Sequence, residues 1–185
     1  MTVEETELPG VLLITPKSFG DSRGYFLESY HEARYREAGI ECGFVQDNVS
    51  HSGPGVLRGL HFQVPNGQAK LIQVLSGEIL DVAVDIRFGS PYFGKWVGRI
   101  LSDQNHAQLF IPAGFAHGFA VLGDHATVAY KCSVLYEAAG DSTILWNDPE
   151  IGIEWPVQSP VLSAKDQAGL TLAQYPVERL PKYES

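Results

Sequence analysis

Short segments in which apolar and polar residues alternate place the strongest constraint on the fold of this chain. In 78–86, every second residue from Leu80 to Ile86 is apolar, whereas Asp81 and Asp85 fall on the other face. A period of two is typical of a strand with one buried face. Further strand candidates, separated by turn signals, are 11–14, 55–63, 70–75, 93–101, 107–111, 118–122 and 126–136. The pair Ser76-Gly77 predicts a hairpin between 70–75 and 78–86, and Gly123-Asp124 predicts a second turn. So many short strands favour a sandwich or a barrel.

Helical signals are few and short. Only 30–38, which Gly39 ends, and a turn near 163–168 have a helical pattern. A length of 185 residues fits one domain, and we find no repeats, linkers or low-complexity tracts. The sequence therefore predicts a single mainly β domain over 1–185. The tail after Gly169, which contains Pro176 and Pro181, is expected to wrap the surface.

Composition excludes several classes of function. The net charge of −9 argues against a general nucleic-acid or membrane-surface binder, and no apolar run has the length of a membrane span. The acidic residues 1–5 lack the basic and apolar regions of a secretory signal. Cys42 and Cys132 are far apart and are interpreted as free thiols, so we expect a cytoplasmic protein. Any anionic ligand must then be met by a local group of cations.

Two stretches place polar residues where a barrel core would carry aliphatic ones. In 56–63, Arg58 and His61 interrupt an apolar strand. A regular strand would point these two side chains to opposite faces, and Gly59 is the predicted position of a bulge that would change this. In 111–119, a Pro-Ala-Gly turn leads to His117 on the next strand.

These stretches resemble the two motifs of the cupin superfamily. The first motif, H-x-H followed by Glu and Gly, matches 61–63, Lys70 and Gly77, and the second, P-x-G-x-x-H, matches 112–117. Gln63 and Lys70 stand where a metal-binding cupin has a histidine and a glutamate. Because zinc and non-haem iron sites use at least three His or carboxylate ligands, and an ammonium repels the ion, we expect no metal and no other cofactor. The resemblance implies a double-stranded β-helix (jelly-roll) barrel with a few short peripheral helices.

A closer resemblance covers nearly the whole chain. The chain is similar, segment after segment and in order, to the dTDP-4-dehydrorhamnose 3,5-epimerase family in 21–28, 44–48, 55–63, 81–87, 112–119, 130–132, 146–149 and 162–166. Each match alone is short, but their ordered conjunction is specific. The sequence departs from the family pattern in a shorter loop at 64–69, in Asp141 where a glutamate is common, and in two alanines at 138–139.

The resemblance implies inversion of carbons 3 and 5, which flank the ketone of dTDP-4-dehydro-6-deoxy-D-glucose, to give dTDP-4-dehydro-L-rhamnose in dTDP-L-rhamnose biosynthesis. Such chemistry needs a base, an acid on the opposite face and a group that stabilises the enolate oxygen. The family pattern assigns His61 as the base, Asp166 as its orienting partner and Tyr130 as the acid. Without that pattern, His61 and Tyr130 would be interpreted as structural strand residues, and Asp166 as part of a surface turn.

The same pattern assigns the binding residues. Lys70 and Arg58 are expected at the ketone oxygen or the diphosphate, since both are cations beside apolar runs. Lys131, next to Tyr130, is expected on the opposite face of its strand. The remaining residues matched to the substrate and its nucleotide are Arg23, Phe26, Glu28, Gln46, Asp47, Asn48, His117, Asp141 and Lys165. The other histidines, at 31, 51, 106 and 125, are interpreted as surface residues.

Three other functions remain open at this point. The nearest is an epimerase acting only at carbon 3, or a ketoisomerase, of another deoxysugar pathway, although 59–63 looks more like the double epimerase. A metal-dependent cupin oxygenase is disfavoured by Gln63 and Lys70. A non-catalytic sugar-binding barrel would not need His61, Tyr130 and Asp166 together. We also expect a homodimer that exchanges or pairs the strand near 11–14, because an open sheet edge has to be covered.

Overall fold

The computed structural model describes residues 1–183 as a barrel of antiparallel strands with two short α-helices. The strands are β1 (Thr2–Glu5), β2 (Leu12–Thr15), β3 (Ser18–Asp21), β4 (Gly24–Leu27), β5 (Gln46–Ser52), β6 (Leu57–Gln63), β7 (Lys70–Asp85), β8 (Trp96–Ser102), β9 (Gln108–Ile111), β10 (Phe115–Cys132) and β11 (Asp141–Thr143). The helices are α1 (Glu32–Glu37) and α2 (Ala164–Gln167), and two 3₁₀ turns follow at Leu172–Gln174 and Val177–Arg179. The mainly β prediction is confirmed.

The barrel is closed by two long strands that each belong to two sheets. Strand β7 pairs with β9 over 70–73 and with β8 over 78–84, while β10 lies along its other side. Strand β10 likewise pairs with β6 over 117–120 and with β5 over 126–132. One sheet therefore has the order β8-β7-β10-β6-β11 and the other β1-β2-β9-β7-β10-β5.

The predicted hairpin at Ser76-Gly77 and the predicted turn at Gly123-Asp124 are both wrong. Each lies inside one of the long strands, β7 or β10, where the register between the two strands shifts. Gly77 has φ +85°, and a Cβ there would lie 2.1 Å from the carbonyl oxygen of His125. The glycine signal is therefore used for a bend at the corner of the barrel, where β7 passes from one sheet to the other.

The alternation in 78–86 predicts the packing correctly. Val82, Val84 and Ile86 are buried in a cluster on the outer side of the sheet, which the C-terminal tail covers with Leu172 and Leu180. Alternate residues of the same strand, such as Ala83, face the barrel interior and its own apolar cluster. A third cluster packs α1 against the other sheet.

The ends of the chain cover these clusters. The predicted helices at 30–38 and 163–168 form as α1 and α2, each shorter than expected. Strand β2 pairs with both β1 and β9 of its own chain, so the free sheet edge at this end is β1 and not the predicted segment 11–14. Within residues 1–183, no helix is long and apolar enough to cross a membrane.

Candidate active site

His61 lies on β6 just after an irregularity in the strand. Between β6 and β10 the register runs from His61–His117 to Arg58–Phe119, so β6 contains one more residue than β10 over this stretch. Gly59 lies within the irregularity, and a Cβ there would be 2.5 Å from the Cα of Gly118. The predicted bulge is confirmed, and it changes the alternation of side chains between Arg58 and His61.

The imidazole of His61 is bound to a buried carboxylate. Its Nε2 lies 2.5 Å from Oδ1 of Asp166, whose side chain is only 3% exposed. The hydroxyl of Ser163 donates to the other oxygen of Asp166 at 2.8 Å and also caps α2 by accepting from the Asp166 amide. Burial raises the pKa of Asp166, but the hydrogen bond and charge of His61, together with Ser163 and Lys165, outweigh it, and the net shift is downward.

This pairing selects one tautomer of the histidine. An ionised carboxylate only accepts hydrogen bonds, so Nε2 of the neutral ring must carry the proton. Nδ1 of His61 then holds the free lone pair. The arrangement therefore supplies a base, oriented through its other nitrogen by an aspartate.

His61 opens onto a cavity of about 350 Å³ in the barrel mouth. Its wall is formed by residues of β5, β6, β7, β10 and β11, of helix α2 and of two loops. The lining residues are Gln46, Asn48, His61, Gln68, Lys70, Tyr130, Cys132, Tyr136, Asp141 and Lys165. Seven of these ten were predicted as site residues, and they come from distant parts of the sequence.

Tyr130 and Lys70 bring two further titratable groups to the cavity. Burial raises the pKa of Tyr130, the carboxylate of Asp141 acts in the same direction and the charge of Arg58 opposes them, so the phenol keeps its proton. Burial lowers the pKa of Lys70, and the carboxylates of Asp141 and Asp81 oppose this shift. The cavity thus joins a base, a protonated phenol and an amine from three strands.

Charged side chains form the rim of the cavity on the side of β11. Asp141 accepts from the ammonium of Lys165 and, at 3.0 Å, from the hydroxyl of Tyr136. Because Lys165 precedes Asp166 in α2, this ion pair connects the rim to the helix that carries the aspartate. Asp141 and Lys165, which were predicted as binding residues, are therefore brought together.

Six predicted binding residues do not line this cavity, and three of them lie on the barrel strands. Arg58 donates to Ser52 and to the carbonyl of His51, although its charge still acts on Tyr130. His117 is buried and binds Asp81 at 2.7 Å. Asp47 points to the outer side of β5, where it pairs with Lys131. The expectation that Lys131 faces away from Tyr130 is borne out by this outward pairing.

The predicted nucleotide residues near the N-terminus lie on or beside the β3–β4 hairpin. Arg23 is 87% exposed and pairs with Asp21, and Phe26 is 69% exposed. Glu28 follows the hairpin and accepts from Arg34. None of the three contributes to the wall of the His61 cavity. A single chain therefore does not collect all predicted binding residues at one place.

The cupin metal positions have other uses here. Within residues 1–183, no group of three or more His, Cys, Asp or Glu side chains is placed to hold a metal ion. The amide of Gln63 is bound to backbone groups of the loops after β6 and β10, and Lys70 lines the cavity. The side chains at these positions do not fit a cation.

Sequence reasoning missed Gln68, Cys132 and Tyr136 as parts of the wall. The period of two along β10 could have found Cys132, because it shares a face with Tyr130. Gln68 and Tyr136 lie in loops without a periodic signal, and only the folded chain brings them to the cavity.

Comparison with known proteins assigns the chain to a family. The family model for dTDP-4-dehydrorhamnose 3,5-epimerase matches residues 5–174. The chain belongs to this family. The enzyme of that name from Shigella flexneri is 54% identical over 171 residues, which are 91% of this chain and 94% of the relative. The Neisseria gonorrhoeae enzyme of that name is 53% identical over 94% of this chain, which spans 53%, about half, of that relative's length.

A solved structure extends the likeness to the fold. The dTDP-6-deoxy-D-glucose-3,5-epimerase of Legionella pneumophila, crystallised with dTDP-4-keto-L-rhamnose, is 48% identical with a TM-score of 0.97. The match covers 100% of this chain and 99% of the other. The cupin-type barrel and the assignment to an isomerase family are therefore confirmed, in preference to an oxygenase or a non-catalytic barrel.

Proposed function

We propose that this enzyme inverts carbons 3 and 5 of dTDP-4-dehydro-6-deoxy-D-glucose to give dTDP-4-dehydro-L-rhamnose, as a step of dTDP-L-rhamnose biosynthesis. The observation that carries the proposal is the His61–Asp166 pair, which leaves Nδ1 of His61 basic in a cavity shared with Lys70 and Tyr130. An anionic sugar nucleotide needs local cations in a chain of net charge −9, and Lys70 and Lys165 line this cavity.

The reaction needs only proton transfers. Nδ1 of His61 takes the proton from the carbon beside the ketone, and the electron pair moves into the enolate. The ammonium of Lys70 stabilises the enolate oxygen. A fixed cation stabilises such a charge more strongly in a site partly shielded from water than it would in bulk water. The phenol of Tyr130 gives its proton to the other face of the same carbon. The imidazolium of His61 then releases its proton to solvent, and solvent reprotonates the tyrosine. The composition of the substrate is unchanged, and no cofactor takes part.

The remaining predicted residues serve binding in this proposal. Gln46, Asn48, Asp141 and Lys165 line the cavity and are assigned to the sugar and the diphosphate. Arg58 and His117 lie just outside its wall and are assigned to substrate through their closeness to Tyr130 and His61. The hairpin-side and outward-facing residues, assigned to the nucleotide, are Arg23, Phe26, Glu28 and Asp47.

We further propose a cytoplasmic homodimer. The β3–β4 hairpin exposes Phe19, Tyr25 and Phe26, which are 55%, 59% and 69% exposed. Adjacent exposed aromatic side chains are typical of a surface that a protein partner covers. Within the described residues, Cys42 and Cys132 are both free thiols, as is usual in a reducing compartment.

One assay tests the chemistry. The enzyme is incubated with dTDP-4-keto-6-deoxyglucose in deuterated water, and deuterium at carbons 3 and 5 is counted together with inversion. His61→Ala should lose exchange and inversion by about 10²–10⁴-fold or more, the usual effect of losing a general base. Tyr130→Phe should retain exchange but lose inversion, because His61 can return a solvent proton to the original face.

Two results would contradict the proposal. A Tyr130→Phe enzyme that inverts carbon 5 at the parent rate would remove Tyr130 as the acid. A His61→Ala enzyme with full exchange would mean that another residue is the base. Both variants should still bind dTDP, which separates chemistry from nucleotide recognition.

A further inference from the structure

The loop between β10 and β11 forms one side of the cavity rim without being held by apolar packing. In this rim segment, 133–140, the side chains of residues 135–139 are exposed. Leu135 is 63% exposed and Tyr136 55%. Burial of these side chains therefore does not determine where the backbone of the rim segment lies. Some other interaction must place Tyr136 beside the cavity.

Side-chain amides supply that interaction, one residue after another. Gln68 donates to the carbonyl of Val134 at 2.9 Å, and Gln46 accepts from the amide of Tyr136 at 2.8 Å. Gln63 donates to the carbonyl of Leu135 at 3.3 Å and accepts from the amide of Glu137 at 2.8 Å. Gln46 lies in β5, whereas Gln63 ends β6 and Gln68 lies in the loop that follows it.

Gln63 occupies the centre of this arrangement. It is only 5% exposed, and its second N–H donates to the carbonyl of Asn66 at 2.7 Å. Both amide hydrogens and one oxygen lone pair are thus used within the protein. The backbone reinforces the contact, since Gln63 pairs with Asp141 in β11 and Val64 donates to the carbonyl of Gly140 at 3.1 Å.

We infer that Gln63 is a positioning residue, which holds the rim segment so that Tyr136 and Asp141 form the wall of the substrate cavity. A metal-binding cupin has a ligand at this position. Here the amide instead fixes a loop whose Tyr136 hydroxyl binds Asp141 at the rim. The effect on substrate, though not the fixing of the loop, rests on the proposed function.

The test uses Gln63→Met, which keeps the length of the side chain and removes every amide hydrogen bond. Hydrogen–deuterium exchange of the full chain should show amides of 134–140 exchanging about tenfold faster or more, since buried hydrogen bonds are lost. Peptides from β7 should be unchanged. The KM for the dTDP-4-keto sugar should rise about tenfold, while kcat stays within about twofold of the parent.

Two further variants frame this result. Gln104→Met changes an exposed glutamine whose side chain, among residues 1–183, bonds only to Asp103, and it should leave exchange and KM as in the parent. Gln68→Met removes the single bond to Val134 and should produce a smaller change in the same direction, which provides a test if Gln63→Met does not fold.

The inference is overturned if the rim segment of Gln63→Met and Gln68→Met exchanges as in the parent. It is also overturned if hydrogen–deuterium exchange of the rim segment rises but KM does not, because the segment would then not shape the cavity. A fall in kcat with KM unchanged would overturn it as well. Should the parent turn over no such sugar, the proposed function fails, and exchange of the rim segment still decides whether Gln63 holds it.

Discussion

Replacing Asp166 by asparagine tests the central pair without changing its shape. The carboxylate has two hydrogen-bonded oxygens, one facing His61 and one facing Ser163. An amide has only one oxygen, so the variant must present either C=O or NH₂ to the imidazole. The two orientations have different consequences for the base.

The structure bounds the magnitude of the loss. If the amide oxygen faces His61, the tautomer is preserved and a charge-assisted hydrogen bond becomes a neutral one. That difference is about 1–1.5 kcal/mol, or about tenfold in rate. If the NH₂ faces His61, it donates to Nε2 and forces the proton onto Nδ1, which disables the base. A wrong tautomer costs about 10⁴-fold in a serine-protease triad. Since the hydroxyl of Ser163 can either donate to C=O or accept from NH₂, both orientations are open and we expect a loss of about 10–10⁴-fold.

The assay is the initial rate of deuterium incorporation at carbons 3 and 5, measured with saturating substrate. Ser163→Ala is the matched control, because it removes one bond to Asp166 but leaves the carboxylate charge. It should cost no more than about tenfold, in line with a single hydrogen bond and the loss of a helix cap. Exchange by Asp166→Asn within threefold of the parent rate would refute the tautomer argument.

Three other outcomes follow from the site. Burial lowers the pKa of Lys70, so its ammonium is lost as pH rises through a value below the ordinary lysine range, and kcat should fall there. Lys70→Arg should move this alkaline limb of the pH profile upward. A limb that does not move would exclude Lys70 as its origin. Activity should survive EDTA and gain nothing from zinc or iron, since Gln63 and Lys70 replace metal ligands; loss on chelation that one metal reverses would contradict this. Phe26→Asp places a charge on the exposed hairpin, so it should shift the sedimenting species from dimer to monomer at micromolar concentration. A parent protein that is already monomeric would contradict the homodimer proposal.

The sequence predicts the strands of the barrel well because the patterns that indicate them lie within short segments of the chain. The alternation in 78–86 determines which face of β7 is buried, and the structure places Val82 and Val84 accordingly. Gly59 signals a bulge for the same reason, since its backbone needs a close approach to Gly118. Gly77 shows the limit of such reasoning. A glycine at a barrel corner and a glycine in a hairpin need the same freedom of φ, and only the register between β7 and β10 distinguishes them.

The His61–Asp166 pair is harder to find from the sequence because its two residues are distant. His61 and Asp166 are 105 residues apart, and nothing in the pattern near Asp166 indicates more than a short capped turn. The family resemblance connects them, and the structure adds the physical reason. The burial of Asp166 and the cap from Ser163 leave its remaining oxygen to His61. The resemblance also predicted Arg23 and Phe26 as binding residues, which this chain keeps away from its own cavity.

The glutamines of the rim show which part of a site pattern reasoning cannot reach. A glutamine has no preferred partner, since its amide can donate to or accept from any backbone group within reach. From the sequence, Gln63 is therefore informative only by contrast with the metal ligand expected there. In the fold, the same residue is 5% exposed beside a segment whose own side chains are exposed, so its hydrogen bonds determine where that backbone lies. A lost metal ligand and an acquired loop anchor are thus two descriptions of one substitution. The second is the one that bears on the proposed substrate, because Tyr136 and Asp141 line the cavity.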